Sequence, residues 1–168
     1  MRIEAVRGDI TTQDVDAIVN AANSGLLGGG GVDGAIHAAA GPDLLAACKV
    51  LRRTTLPDGL PVGAAVATPG FRLPARWVIH TVGPNRHRGQ TDPALLASCF
   101  VQSLRVADEI GAQSIAFPAV SAGVYGWAVG DVARIAVEAV RQAETSVELV
   151  RFVLFSADAF AAFEDALD

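Results

Sequence analysis

Four consecutive glycines, Gly28–Gly31, constrain this chain more than any other feature of its sequence. Glycine loses more backbone freedom on folding than any other residue, so such a run is kept where the backbone must approach something closely. An apolar segment, residues 16–19, precedes the run, and a segment of helical composition, residues 35–40, follows it. A strand, a glycine loop and a helix in this order aim backbone N–H groups at a bound phosphate.

Polar side chains flank these glycines within the segment Asn20–His37. Taken alone, Asp33 is typical of a helix N-cap, Asn20 of a residue that bonds loop backbone, and Asn23 of either a structural or a functional residue. The glycines just before Asp33 favour a site role for it instead. His37 follows four residues later on the same helical face, where a packing or hydrogen-bonding role is expected.

The composition favours one folded domain over residues 1–168. Hydrophobic residues make up 51% of the 168 residues and charged residues 18%, which excludes a disordered chain and allows a sizeable core. A net charge of −5, with no run of Lys or Arg, argues against general nucleic-acid binding. We expect a monomer.

Two cysteines, Cys48 and Cys99, lie in apolar helical patterns and are predicted to be buried free thiols. They are not spaced with histidines as zinc ligands, so no metal is expected. No basic segment followed by an apolar one occurs at the start, and no long apolar stretch occurs elsewhere. We therefore expect no membrane association and a cytoplasmic location.

Short apolar segments alternate with helical patterns along the whole chain, which predicts a mostly parallel sheet covered by helices on both faces. The directions of the first and last strands stay open. The predicted strands are Ile3–Arg7, Ala17–Asn20, Ala64–Thr68, Trp77–Val82, Ser114–Pro118 and Val150–Phe155. Helix signals include Asp92-Pro93 as a start, Gly111 just past an end, and Ser156 as a cap.

Five of these strands are followed by polar or glycine-rich residues, and in open α/β sheets ligands bind beyond the carboxyl ends of strands. Two of the junctions, Asn20–Asp33 and Ser121–Gly126, are glycine loops that lead into helices. Two anion-binding loops that face one crevice fit a ligand with two adjacent phosphates. Asp9, after the first strand, suits an amino group of a base or a sugar hydroxyl.

Five sequence blocks then carry a family resemblance that covers essentially the whole chain. They are Gly8–Thr11, Asn20–Asn23, Leu27–His37, Trp77–Pro84 and Ala116–Gly126. In this order and spacing the blocks resemble a macrodomain of the MacroD type. The resemblance implies a three-layer α/β/α sandwich around a six-stranded, mixed and mostly parallel sheet, with ADP-ribose in its cleft.

The resemblance also implies roles for individual residues. Asp9 accepts from the adenine amino group, Phe155 stacks on adenine, and the two loops cradle the diphosphate. Asn23 and Asp33 match the pair beside the distal ribose that is associated with hydrolysis. The implied ligand-binding residues are Asp9, Ile10, Asn20, Gly29, Gly30, Gly31, Val32, Ser121, Ala122, Gly123, Val124, Tyr125 and Phe155.

The implied activity is the removal of ADP-ribose from acidic protein side chains, or the deacetylation of O-acetyl-ADP-ribose, without a cofactor. Either ester needs a positioned water and a group that steers or accepts its proton. Asp33 at a helix start is a weak base, because the dipole favours its negative charge, so orienting water and abstracting a proton both stay open. A diphosphate oxygen is a second candidate proton acceptor. Asn23 suits gripping ribose hydroxyls.

Two other functions fit the same motifs. A non-catalytic module that reads ADP-ribosylated proteins needs the cleft but not the pair Asn23 and Asp33. A phosphatase acting on a terminal phosphate of ADP-ribose is the third possibility. Turnover and phosphate release distinguish these functions from ester hydrolysis.

Overall fold

Six strands form one sheet in the computed structural model, which describes residues 1–168. The strands are β1 Arg2–Arg7, β2 Ala17–Ala22, β3 Ala65–Pro69, β4 Trp77–Val82, β5 Ser114–Phe117 and β6 Leu149–Leu154. The helices are α1 Gly31–Ala40, α2 Pro42–Arg53, α3 Pro93–Glu109, α4 Val129–Gln142 and α5 Ala157–Leu167. Short 3₁₀ turns occupy Ile10–Thr12 and Arg86–Arg88.

The strand order is β1-β6-β5-β2-β4-β3. All neighbours pair in parallel except the edge strand β3, which is antiparallel to β4. The first and last strands, whose direction the sequence leaves open, are parallel to their neighbours. The carboxyl ends of five strands therefore lie at the same edge of the sheet, as the junction pattern predicts.

Two strand boundaries differ from the predicted ones in a way that affects the site. β2 continues two residues beyond Asn20, because its ladder with β4 extends to the pair Ala22 and Val82. Asn20 is thus a strand residue that faces a helix layer. β6 ends at Leu154, so Phe155 lies in the turn before α5 and is 86% exposed.

Helices cover both faces of the sheet and complete the predicted three-layer sandwich. Side chains such as Val19, Ile79 and Phe152 point from the strands towards α3, α4 and α5. Their alternating neighbours Ile18 and Val78 point towards α1 and α2. This alternation follows from the period of two along a strand and gives the sheet a buried core on each side.

The two cysteines are buried and unpaired, as predicted from their apolar surroundings. Burial raises the pKa of Cys48 and of Cys99 to about 11, so both remain neutral thiols at neutral pH. None of the helices combines the length and the apolarity that crossing a membrane requires.

The predicted helix signals at the start and end of α3 are confirmed. Asp92 Oδ1 accepts from the N–H of Ala94 at 2.9 Å, and Pro93 occupies the first helical position. Gly111 follows the helix end with a φ of 74°, a left-handed conformation that glycine adopts without strain. Ser156 likewise caps α5 by accepting from the N–H of Ala159.

Replacing Asp92 by alanine is expected to lower the free energy of unfolding by about 1 kcal/mol, because the Ala94 N–H then loses its acceptor. Asp92→Ser keeps an acceptor oxygen and serves as the matched control, which should unfold close to the wild type. Urea unfolding followed by circular dichroism measures both variants. Equal destabilisation of the two contradicts the capping role.

Candidate functional site

The site residues predicted from the sequence lie along the edge where five parallel strands end. Along this edge, Asp9 follows β1, Phe155 follows β6, the segment Ser121–Gly126 follows β5, and the segment Gly28–Gly31 lies beyond β2. Neighbouring strands are about 4.8 Å apart, so the three spacings from β1 to β2 span about 14 Å. The site is therefore elongated, with an acid and an aromatic ring at one end and Asn23 and Asp33 at the other.

The first glycine loop presents unpaired backbone donors. The N–H groups of residues 29–32 have no acceptor within the protein. Gly31 and Val32, predicted as loop residues, belong instead to the first turn of α1, whose N-cap Gly30 makes no side-chain bond. Free donors at a helix N-terminus carry partial positive charge, which favours an anion here.

Asn23 and Asp33 converge on the backbone of Gly29. A Cβ atom at Gly29 would lie 3.1 Å from Asp33 Oδ2 and 3.4 Å from Asn23 Nδ2. Asn23 Nδ2 donates to the carbonyl of Gly28 at 3.0 Å, which fixes the amide beside the loop. The absence of a side chain at Gly29 thus leaves both polar groups facing the same space.

The two carboxylate oxygens of Asp33 have different surroundings. Oδ1 faces the interior, where it accepts from Asn20 Nδ2 at 2.8 Å and lies 3.4 Å from His37 Nε2. Oδ2 faces Gly29. Asp33 does not cap α1, since Gly30 holds that position. The interpretation of Asn20 as a residue that bonds loop backbone is wrong, because its amide bonds the Asp33 side chain.

A buried polar row continues from Asn20 into the sheet. Asn20 Nδ2 also lies 3.2 Å from His80 Nδ1, and His80 Nε2 lies 2.9 Å from Thr68 Oγ1. Burial lowers the pKa of His80 to about 3, with a smaller contribution from His37, so the ring is neutral at neutral pH. No three His, Cys, Asp or Glu side chains are grouped in a way that would hold a metal ion.

The second loop uses part of its backbone for its own structure. The N–H of Ala122 donates to Ala119, and that of Gly123 donates to Trp127. The N–H groups of Ser121, Val124 and Tyr125 have no acceptor in the protein, so these three are the donors open to a ligand.

Gly83 and Arg86, which follow β4, contact the second loop and hold it in place. The N–H of Arg86 donates to the carbonyl of Tyr125 at 2.8 Å, and the Arg86 guanidinium lies 4.9 Å from the ring centroid of Trp127. Ser121 is held at a φ of 67°, and its buried Oγ, which lacks a hydrogen-bond partner, packs against Gly83. Any side chain at Gly83 would displace Ser121.

The far end of the site is built around Asp9. Its Oδ1 accepts from the N–H and the hydroxyl of Thr11 at 2.9 and 2.7 Å, which leaves Oδ2 without a protein partner. The Ile10 side chain is buried in the core, so only its backbone borders the site. Val124 and Phe155, each 86% exposed, are the most exposed large apolar side chains and border this edge.

A cleft of about 500 Å³ opens beside the first loop. Its lining includes Gly28, Gly29 and His37, together with Leu45 and Arg72. The cleft thus adjoins the first loop and extends along α1 to its C-terminal end, where Arg72 lies beside Gly41.

Comparisons with known proteins agree with this geometry. The family model for the Macro domain matches residues 19–136. The chain belongs to the macro domain family. It is 62% identical over 167 residues to a macro domain-containing protein of Streptomyces griseus, covering 98% of this chain and 94% of that protein. The resemblance indicated by the sequence blocks is thus confirmed for the family.

Solved structures of macrodomains match this macro domain along nearly its whole length. A macrodomain of Oceanobacillus iheyensis solved with ADP has a TM-score of 0.91 at 45% identity, covering 97% of this chain and 88% of that one. A Trypanosoma brucei macrodomain in complex with ADP-ribose has a TM-score of 0.87 at 38% identity, covering 99% of this chain and 69% of that one.

The sequence does not indicate how the interior supports the site of this macro domain. His80 lies in the predicted strand Trp77–Val82, but its contact with Asn20 depends on the register between β2 and β4. Arg86 lies outside the five resembling blocks, and its support of the second loop is visible only in three dimensions. An isolated polar residue in an apolar strand, such as His80, is the feature of the sequence that could have indicated this buried support.

A charged network anchors the Asp9 end of this macro domain and should respond to acid. Arg151 donates to Glu4 Oε1 at 2.8 Å and to Gln13 at 3.2 Å, and Gln13 donates to the carbonyl of Asp9 at 2.9 Å. The hydrogen bond from Arg151 lowers the pKa of Glu4 below its ordinary value of 4.5.

Glu4→Gln is expected to lower stability at neutral pH, because the neutral amide loses its charge interaction with Arg151. A carboxyl group whose pKa is lowered by folding stabilises the folded protein at pH values above its ordinary pKa. The difference in unfolding free energy between wild type and Glu4→Gln should therefore shrink as the pH falls below about 4.5. Urea unfolding of both proteins from neutral pH to about pH 3 measures the difference. Glu164→Gln, at an exposed glutamate without an ion pair, is the control. A pH-independent difference between Glu4→Gln and wild type contradicts the assignment.

Proposed function

We propose that this macro domain binds ADP-ribose along the elongated edge and hydrolyses an ester on its distal ribose. Asp9 and Phe155 suit the adenine end, and the open donors of the two loops suit the diphosphate between them. The macrodomains of Oceanobacillus iheyensis with ADP and of Trypanosoma brucei with ADP-ribose, at 45% and 38% identity, support this assignment.

The convergence of Asn23 and Asp33 over Gly29 carries the catalytic part of the proposal. Asp33 is only 5% exposed, and its inner oxygen is held by Asn20 while its outer oxygen faces Gly29. Burying a carboxylate is costly unless it is hydrogen-bonded, so a module that only reads ADP-ribose gains little from it. A fixed carboxylate oxygen is, however, what a positioned water requires.

In the proposed reaction, Asn23 holds ribose hydroxyls and Asp33 Oδ2 accepts a hydrogen bond from the attacking water. Water adds across the ester bond, so its hydroxyl group joins one product and its proton the other. The proton passes to Asp33 or to a diphosphate oxygen of the substrate. The free N–H groups at the start of α1 stabilise the negative charge that develops beside them. This assignment is that of a MacroD-type hydrolase.

The cleft beside the first loop suits the group that leaves. It adjoins Gly28 and Gly29 of the first loop, and Arg72 provides a positive charge in its lining. We propose that an acidic side chain of an ADP-ribosylated protein, or the acetyl group of O-acetyl-ADP-ribose, enters from this side.

Asn23→Ala and Asp33→Ala are each expected to lower the turnover number by about 10²–10³, the effect of removing one transition-state contact. ADP-ribose affinity should change far less, because most ligand contacts lie in the two loops. Release of label from a protein mono-ADP-ribosylated on carboxylates measures turnover, and calorimetry measures binding. Asp131→Ala is the matched control, since Asp131 lies in the first turn of α4 and is exposed.

The wild type decides between the candidate functions in the same experiment. Binding of ADP-ribose without release of label, beside an active positive control, supports the reader module and contradicts the hydrolase. Release of phosphate from ADP-ribose carrying a terminal phosphate supports the phosphatase. Absence of ADP-ribose binding contradicts the whole assignment of the cleft.

Gly34→Ala is expected to weaken ADP-ribose binding by about 10- to 100-fold, because small displacements of a binding group are this costly. A Cβ at Gly34 would lie 2.7 Å from the carbonyl oxygen of Gly29, so the first loop must move. Gly130→Ala is the matched control, because Gly130 is also a helical glycine and a Cβ there meets nothing within 4 Å. It should bind normally and gain about 0.5–1 kcal/mol of stability. Unchanged affinity in Gly34→Ala contradicts the placement of the ligand on this loop.

A further inference from the structure

Three neighbouring strands contribute one polar residue each to a buried row that ends at Asp33. Asn20 in β2 pairs in register with His80 in β4, and Thr68 in β3 follows on the other side of His80. Asn20 and His80 are fully buried, and Thr68 is 4% exposed. The row lies on the sheet face covered by α1 and α2, among otherwise apolar side chains.

The Asp33 carboxylate determines which atom donates and which accepts in each hydrogen bond along the row. Asp33 Oδ1 accepts, so the amide nitrogen of Asn20 must face it at 2.8 Å. The same nitrogen lies 3.2 Å from His80 Nδ1, which therefore accepts its second hydrogen. A neutral imidazole that accepts at Nδ1 carries its proton on Nε2, and this proton is donated to Thr68 Oγ1 at 2.9 Å.

Only this orientation of the Asn20 amide satisfies both neighbours, although it leaves Asn20 Oδ1 buried without a partner. An unpaired buried acceptor destabilises a protein, so the orientation is maintained against a local cost. Turning the amide would place Oδ1 against the carboxylate of Asp33 and repel it. The Nε2–H tautomer of His80 is therefore the one that fits the orientation of Asn20 that Asp33 requires.

We infer that Thr68 and His80 are positioning residues for the proposed ester hydrolysis, because Thr68 holds the Nε2 proton of His80, and His80 Nδ1 then accepts from Asn20 and keeps the Asn20 amide against Asp33. The inference rests on the proposed function. Neither residue touches the substrate. Thr68 acts through two intervening side chains and sets the direction of the outer Asp33 oxygen towards the water.

Removal of the Thr68 hydroxyl should release this arrangement. Cys48 Sγ, at 4.0 Å, is then the remaining hydrogen-bond partner of His80 Nε2, and a thiol sulfur is a weaker acceptor than a hydroxyl oxygen. The imidazole proton then moves to Nδ1, where it opposes the N–H of Asn20. The two N–H groups repel each other, so Asn20 loses its fixed position against Asp33, while the diphosphate loops stay unchanged.

Two pairs of matched variants test the inference. Thr68→Val keeps the shape of the side chain and removes the hydroxyl, whereas Thr68→Ser keeps the hydroxyl. His80→Asn places an amide oxygen near the position of Nδ1, whereas His80→Gln places its amide near Nε2. Ring ¹⁵N shifts of His80 report the tautomer in the ligand-free protein, and the ester assay and calorimetry report kcat, KM and ADP-ribose affinity.

We expect the wild type to show the Nε2–H tautomer and Thr68→Val to lose it. Thr68→Val should lower kcat about 10- to 100-fold, as loss of an orienting partner does at metal sites, with KM and ADP-ribose affinity nearly unchanged. Thr68→Ser should retain wild-type kcat, and His80→Asn should retain more of it than His80→Gln. A purely structural role would lower stability and affinity together and would not separate these pairs.

The outcomes separate this inference from the function on which it rests. If the wild type hydrolyses the ester and Thr68→Val has the same kcat, the positioning role is wrong and the proposed function stands. An Nδ1–H tautomer in the wild type also overturns the positioning role. If the wild type binds ADP-ribose but does not hydrolyse the ester, the proposed function is wrong, and the positioning role in that hydrolysis is wrong with it. Should Thr68→Val not fold, the His80 pair and the wild-type tautomer still decide the question.

Discussion

Parallel pairing of β2 with both β4 and β5 is the constraint on which the site depends. Parallel strands end at one edge, so the loop after β2 and the loop after β5 begin side by side. The same pairing places Asn20 opposite His80 on the helix-covered face. One arrangement of strands thus supplies the backbone donors above the sheet and the polar row within it.

The two glycine loops present their backbone N–H groups to a ligand in different ways. The first leaves the N–H groups of residues 29–32 free and depends on the start of α1 for its shape. The second uses the N–H groups of Ala122, Gly123 and Gly126 for its own turn and is held by Arg86 and Trp127. The first loop is thus rich in donors and close to the proposed chemistry. The second has fewer free donors and more contacts within the protein.

The fold was largely predictable because its signals are local. The cap at Asp92, the glycine after α3 and the alternation of strands with helices each depend on a few adjacent residues. The convergence of Asn23 and Asp33 was expected from the family resemblance, and the structure brings both to Gly29. Their roles in catalysis stay predictions.

What the sequence did not reveal depends on contacts between distant residues. The role of Asn20 required knowing that β2 extends past it and that His80 lies in register beside it. The engaged N–H groups of Ala122 and Gly123 required the actual turn geometry. Register and turn conformation arise from packing across the whole sheet, and a single sequence carries little information on either.

The row of strand ends also sets the distance between the two ends of the site. The separation of about 14 Å between the ends of β1 and β2 is set by three backbone spacings, which side-chain substitutions leave almost unchanged. Loops at this edge can change length or composition while the two ends of the site stay the same distance apart. The sheet therefore determines the length of ligand that fits the site, and the loops determine which chemical groups are accepted along that length.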